Sequence, residues 1–256
     1  ISHYKFAGPG GQGQADWVHV LPIPNTFSGP FQGPDATTRY SDEAAGLIQQ
    51  IGGAESTLAG CLLEIFPSVG GQLIPPAGYL QSLETAVRVQ GGLLIADEVQ
   101  TGLGRLGSHL WAFEQQGLQP DIVVLGKPIG NGHPMGAVIT RKEIAASFSN
   151  GMEFFSTFGG STVSCAAGKA VLEVIEAENL SALAARTGAV LLDGLRALFA
   201  DAPLRADVRG LGLFLGVELC CEDGSPATEA TGQLVNAMRE RRVLMGSDGP
   251  HDSVMK

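Results

Sequence analysis

The stretch Gly91-Gly92-Leu93-Leu94-Ile95-Ala96-Asp97-Glu98-Val99-Gln100-Thr101-Gly102 decides how this chain folds. Two glycines make a turn, four apolar residues follow without alternation, and two carboxylates end the run. A short strand that is apolar on both faces belongs inside a sheet rather than on a half-wet one. Upstream, Tyr79 to Val89 carries Leu80, Leu83 and Val87 at helical spacing, and before it Cys61 to Phe66 is another apolar strand, broken by Pro67 and Gly70-Gly71. Downstream come a helix over Leu110 to Gln116, a strand Ile122 to Leu125 and a strand Gly136 to Thr140. Strands and helices in alternation define an α/β architecture with a mostly parallel sheet, helices on both faces.

Further out the signals are more local. Residues 1 to 35 read as loop, with Trp17 to Leu21 as one candidate strand. Ser41 can cap a helix whose first turn holds Asp42 and Glu43. Ala166 to Glu178, Leu180 to Phe199 and Glu229 to Arg241 read as helices, and Asp207 to Leu219 as a hairpin or a bulged strand. A second, smaller domain is expected to begin near residue 180.

Composition narrows the function. The 256 residues hold 16 Lys and Arg against 26 Asp and Glu, a formal charge of −10. A general nucleic-acid or anionic-membrane binder needs the opposite sign. No apolar run approaches the ~20 residues that span a bilayer, so no membrane partner is expected. The 36 glycines gather in short clusters, as in a protein rich in tight turns. Cys61, Cys165, Cys220 and Cys221 form neither a metal knuckle nor a disulfide framework, so the chain is expected in the reducing cytoplasm. His3, His19, His109, His133 and His251 show no ligand spacing, and no metal is expected.

Ligands of open parallel sheets gather at the carboxyl ends of the strands. Asp97 ends one apolar strand; a carboxylate there asks for a cationic or N–H partner, a helix cap or structural ion pair being the alternative. Lys127 alone among the five lysines closes a buried strand, Asp121 to Gly126, and opens the turn Pro128-Ile129-Gly130-Asn131-Gly132. Desolvation there would lower its pKa and free an amine for Schiff-base chemistry, with a structural salt bridge as the alternative. Phe154-Phe155-Ser156-Thr157-Phe158-Gly159-Gly160-Ser161 can offer hydroxyls and N–H groups to a phosphate, or be an ordinary loop. Asp97, Lys127 and Thr157 follow one another at intervals of 30 residues. An acid, an amine and a phosphate-binding loop are what pyridoxal phosphate asks of a protein.

Ile95 to Arg105, Pro120-Asp121-Ile122-Val123 with Lys127 and Gly130-Asn131-Gly132, and Thr157-Phe158-Gly159-Gly160 together resemble the class III aminotransferases, fold type I enzymes that use pyridoxal 5'-phosphate. The resemblance runs over essentially the whole chain. It implies a cofactor-binding large domain over 1–180, incomplete at its N-terminus, and over 181–256 a connecting helix with part of a small C-terminal α+β domain. By the same resemblance Asp97 would keep the pyridine nitrogen protonated, Gln100 would lie at the ring hydroxyl, and Lys127 would be the Schiff-base lysine and the base at the substrate carbon. Thr157 would reach the phosphate held by the other subunit of a homodimer with a shared active site.

Glu64 to Gln72, Ile74 to Tyr79, Asp207-Val208-Arg209-Gly210 and Ser247 to Pro250 look most like the branch containing ethanolamine-phosphate phospho-lyase. Val69 stands where ornithine- and GABA-type enzymes carry a gating acid. Glu64 could orient cofactor or substrate from its strand end. Lys256 falls where many relatives have a carboxylate-clamping Arg. Glu98 is expected to be a structural partner.

The implied activity is transfer of an amino group from an amine or amino acid to an oxo-acid. One alternative is elimination of phosphate from a phosphoamine such as ethanolamine phosphate; another is an inactive fragment or dimerisation module. The family's phosphate loop, ring-stacking aromatic and much of its small domain would lie outside residues 1–256, so the chain is expected to be a piece lacking both ends.

Overall fold

The computed structural model describes residue 8, residues 10–53 and residues 57–256; His3 and Lys5 lie outside them. Strands β1 (Gly60–Glu64), β2 (Leu93–Asp97), β3 (Ile122–Leu125) and β4 (Ala137–Thr140) form one sheet in the order β1-β2-β3-β4. The pairings β1–β2 and β2–β3 are parallel, while β4 returns antiparallel to β3 after the connection 126–136, which carries the 3-10 turn Lys127–Gly130. With α1 assigned to Ala36–Ile51, the crossover that parallel neighbours need is helix α2 (Tyr79–Val89), between β1 and β2. Leu80, Leu83 and Val87 of α2 are buried together with Leu94, Ala96 and Val123 of the sheet. The opposite face is less covered, Leu62 being 44% exposed. Each fully buried Leu or Val contributes about 1.5–3 kcal/mol, so this one face holds the first core together.

Asp121 locks the register. Its backbone N–H donates to the Leu94 carbonyl at 2.8 Å, and its carboxylate accepts the Leu94 N–H at 2.8 Å and pairs with Arg88 and Arg141. Burial alone would raise this carboxyl's pKa; the Leu94 N–H and the two guanidiniums outweigh it and hold it below the ordinary aspartate range.

Several elements differ from the sequence expectation. Helix α1 starts five residues ahead of Ser41. Tyr40 is a core residue inside it, fully buried, donating its hydroxyl to the Asn25 carbonyl at 2.8 Å and meeting Phe31 edge-on at 4.9 Å. Trp17 to Leu21 forms no strand, and Trp17 is 74% exposed. Helix α3 shrinks to Ala112–Gln115, because Trp111 is extended and its N–H is taken by Glu114. Helix α4 (Lys142–Phe148) is an addition; none of its residues is buried, so it carries no apolar stripe to read.

Helices α5 (Thr162–Ala177) and α6 (Leu180–Phe199) follow. Then comes the hairpin of β5 (Arg205–Leu211) with β6 (Phe214–Cys220), antiparallel throughout, which resolves the choice between hairpin and bulged strand. Helix α7 (Thr228–Glu240) and the short strands β7 (Ser247–Asp248) and β8 (Val254–Met255) complete an antiparallel sheet in the order β5-β6-β8-β7. Val217, Leu219, Ala227 and Met255 form its own small core. The two sheets are joined by backbone: Leu213 N–H donates to the Arg105 carbonyl at 2.9 Å, and Gly188 of α6 lies against Gly212 so closely that a Cβ would sit 1.8 Å from its carbonyl oxygen. No helix among the described residues is long and apolar enough to cross a membrane.

Candidate active site

The parallel register brings the strand-end groups together. Glu64 is the partner of Asp97 across β1 and β2, and Asp97 the partner of Val124 across β2 and β3, three residues before Lys127. The Asp97 Oδ1 accepts the Val99 N–H at 2.9 Å, fixing the carboxylate on its own turn. Among the described residues its other oxygen has no hydrogen-bond donor. The Val99 side chain abuts Gly126, where a Cβ would meet both methyls at 3.3 Å, so the turn bearing Asp97 packs against the residue preceding Lys127.

Lys127 opens a 3-10 turn, Lys127–Gly130, with φ of +35°, a left-handed conformation costly for a side-chain-bearing residue. The desolvated lysine expected from the strand pattern is not observed: Lys127 is exposed, because it follows the last buried residue of β3 rather than ending it. Its amine makes no ion pair within 4 Å among the described residues, so the structural salt bridge is not made either. Helix α5 packs beside the turn, with His133 Nε2 at 2.8 Å from Ser164 Oγ.

Glu64 reports on the whole cluster. Burial raises its pKa, Asp97 raises it further, and the Ser68 N–H and Lys127 oppose the rise without cancelling it. Ser68 N–H donates to Glu64 Oε2 at 2.7 Å. Glu64 and Asp97 are thus register neighbours at one end of the sheet, and Lys127, on the turn beyond β3, opposes the rise at Glu64.

Glu98, one residue on, is fully buried and faces away from this group in its bonding. It accepts the Thr101 hydroxyl at 2.7 Å and the Phe113 N–H at 2.9 Å, which ties the turn 98–104 to α3. This is the structural role expected of it. Gln100 is half-buried on the same turn.

Thr157 lies apart, on the exposed stretch 150–160 that leads into α5, and makes no hydrogen bond to Asp97, Gln100 or Lys127. Lys256 is ion-paired with Asp248 of β7 and likewise does not touch the cluster. Ser68, Gln72 and Arg209 stand behind Glu64, a placement that sequence reasoning misses. Its signals are a backbone N–H and a left-handed glutamine, neither of which residue type announces.

A carboxylate with one oxygen free of donors and an exposed amine on adjacent strand ends are the donor set that a pyridine nitrogen and an aldehyde would meet. The class III aminotransferase family model matches residues 11–255, and the chain belongs to that family. It is 45% identical to alanine–glyoxylate aminotransferase 2-like of Drosophila melanogaster, across 100% of this chain and 54% of that protein. It is 37% identical to ethanolamine-phosphate phospho-lyase homolog 1 of Caenorhabditis elegans, across 100% of this chain and 58% of that protein. Among solved structures, a phospholyase from Arthrobacter in complex with phosphoethanolamine superimposes with a TM-score of 0.81 at 38% identity, over 86% of this chain and 53% of that one. The fold is thus that of the fold type I enzymes, and the chain spans about half the length of these relatives.

Proposed function

We propose that the protein is a pyridoxal-phosphate-dependent class III aminotransferase, moving an amino group from an amine or amino-acid donor to an oxo-acid. The observation that carries this is the register that sets Asp97 beside Glu64 and Val124 at the carboxyl ends of adjacent parallel strands, with Lys127 opening the turn three residues after Val124. Pyridoxal phosphate, when bound, supplies an aldehyde that condenses with amines and a ring that takes up an electron pair. Asp97, held by Val99, presents its second oxygen to keep the pyridine nitrogen protonated. Lys127 would supply the amine that holds the cofactor and would move the proton at the substrate carbon. Gln100, half-buried on the turn after β2, would meet the ring hydroxyl.

Thr157, on an exposed stretch flanked by Phe154, Phe155 and Phe158, would serve the phosphate across a homodimer interface, the apolar side chains being the part that association covers. Lys256 meets a substrate carboxylate only once its pair with Asp248 opens. The four free cysteines fit a cytoplasmic protein.

A second reading, elimination of phosphate from a phosphoamine, is favoured by the phospho-lyase relatives; Val69, apolar where a gating acid would stand, counts only against ornithine- and GABA-type substrates. One assay separates the two. The full-length protein is given ethanolamine phosphate without any oxo-acid: release of phosphate, ammonia and aldehyde selects the lyase. Amino transfer that requires an oxo-acid, with no phosphate release, selects the aminotransferase. The third alternative, an inactive fragment or dimerisation module, is decided on residues 1–256 themselves: no visible absorbance band with added pyridoxal phosphate favours it, and a band lost in Lys127→Ala contradicts it.

A further inference from the structure

We propose that Arg209 is a positioning residue for Glu64, acting across the two sheets through the segment Ser68 to Gln72; this rests on reading the Glu64, Asp97 and Lys127 cluster as the reactive site.

Arg209 lies on β5, with its side chain 9% exposed. All of its nitrogens are engaged. Nη1 pairs with Asp207 at 2.5 Å and Nη2 with Glu218 at 2.7 Å, while Nη2 also donates to the Gly71 carbonyl at 2.6 Å and Nε to the Gln72 carbonyl at 3.1 Å. A planar guanidinium can bridge two carboxylates and two successive carbonyls; an ammonium cannot. Glu218 is itself fixed, accepting from Asn25 Nδ2 at 3.0 Å and from the Ser28 hydroxyl. The far end of the relay is therefore rigid.

The near end leads to Glu64. Gln72 has φ of +51°, a conformation that persists where surrounding bonds impose it, and Arg209 holds its carbonyl. The buried Gln72 amide donates to Ser68 Oγ at 2.8 Å, the Gly71 and Gln72 N–H groups both donate to the Ser68 carbonyl at 2.9 Å, and Ser68 N–H donates to Glu64 Oε2. Gly249, from the loop after β7, holds the same segment by donating to the Val69 carbonyl at 3.1 Å. A carboxylate at the end of the large sheet is thus aimed by a guanidinium of the small one.

The test is hydrogen exchange in the full-length protein without cofactor, followed on the peptide 66–73. Arg209→Lys keeps the positive charge but not the fork, and is expected to speed exchange of the Ser68 amide about tenfold while β2 and β3 keep their protection. Gln72→Met, which leaves Arg209 and its carboxylates intact, is expected to do the same to a smaller extent. Glu64→Ala removes the acceptor, and combining it with Arg209→Lys is expected to add almost nothing beyond either alone, since both cut one relay. Additive effects in the double variant, or unchanged Ser68 exchange in folded Gln72→Met, overturn the proposal. Activity enters as a separate arm: with a working enzyme, Arg209→Lys is expected to lower kcat more than it raises KM. A wild-type protein with no activity counts against the aminotransferase reading alone, and exchange still decides the relay.

Discussion

Glu64 and Asp97 stand side by side at the carboxyl ends of β1 and β2, two acidic side chains one inter-strand spacing apart, with Lys127 near enough to act on Glu64. Because Asp97 pushes the Glu64 pKa up and Lys127 pulls it down, the two substitutions should move it in opposite directions. Asp97→Asn is expected to lower it and Lys127→Met to raise it. Titration of carbon-13-labelled glutamate carboxyls, with Glu64→Gln for assignment, reads both shifts; movement in the same direction would show that the three groups are not one cluster.

Lys127 makes no ion pair among the described residues and its side chain is exposed, so its removal should cost little stability. Lys127→Ala is expected to leave the full-length protein's melting temperature within about 2 °C, a change of under about 1 kcal/mol. The same variant should abolish the visible absorbance band that wild type develops with pyridoxal phosphate and its trapping by borohydride. A band that survives would remove Lys127 from the proposed role.

Glu98 is buried, and burial raises its pKa despite the Thr101 and Phe113 donors. The folded protein thus holds the proton more tightly than the unfolded chain, so this contribution to stability is full below the unfolded pKa and is lost as pH rises through the folded one. Glu98→Gln can still accept the Phe113 N–H and should flatten that loss in urea unfolding series across pH. Glu98→Ala leaves both donors unmet and is expected to cost about 1–3 kcal/mol, most at low pH, where the protonated Glu98 of wild type contributes fully. Equal behaviour of the two variants would contradict the bonding described.

Asp121 has the opposite sign. Its folded pKa is lowered, so the stability it adds is present above the unfolded value and is lost as pH falls through the folded one. Asp121→Ala frees the Leu94 N–H and leaves Arg88 and Arg141 without their shared carboxylate, at an expected cost of about 2–4 kcal/mol at neutral pH. The gap from wild type should narrow as the pH falls toward the acid limb. A constant gap would locate the effect in packing instead.

Gly188 meets Gly212 with no room for a methyl group. Gly188→Ala must push backbone against backbone and is expected to destabilise by about 2–3 kcal/mol or more. Gly194, on the same helix with nothing within 4 Å of where its methyl group would sit, is the control: Gly194→Ala should stabilise by about 0.5–1 kcal/mol. Thermal melting of the pair checks both.

Much of the fold is legible because it is written in period and position. Tyr79–Val89 and Leu180–Phe199 follow to the residue from apolar spacing, and Asp97 and Lys127 stand out by their place after apolar runs. The misses share a cause in long-range contact. Tyr40 looks like a boundary residue in the sequence, yet its hydroxyl bond to Asn25 and its edge-on contact with Phe31 draw it into the core and carry the helix back to Ala36. Lys127 is exposed two residues beyond the end of β3, on a turn whose covering neighbours an apolar run does not specify. Arg209 acts on a loop 137 residues away in sequence, through carbonyls that belong to every residue type.

The glycine contact between α6 and the turn Gly212 also has a mechanical meaning. Side chains can slide and re-pack as two bodies shear, whereas bare backbone in van der Waals contact transmits displacement without slack. Leu213 is hydrogen-bonded to Arg105 at that same junction, so α6, the hairpin and the loop 103–107 must travel together. The junction between α5 and α6 is Asn179, left-handed at φ +49°, with its N–H donated to the Glu176 carbonyl at 3.2 Å. Any shift of the small sheet relative to the strand ends is therefore carried through this junction and through the bonds from Arg209 to the Gly71 and Gln72 carbonyls.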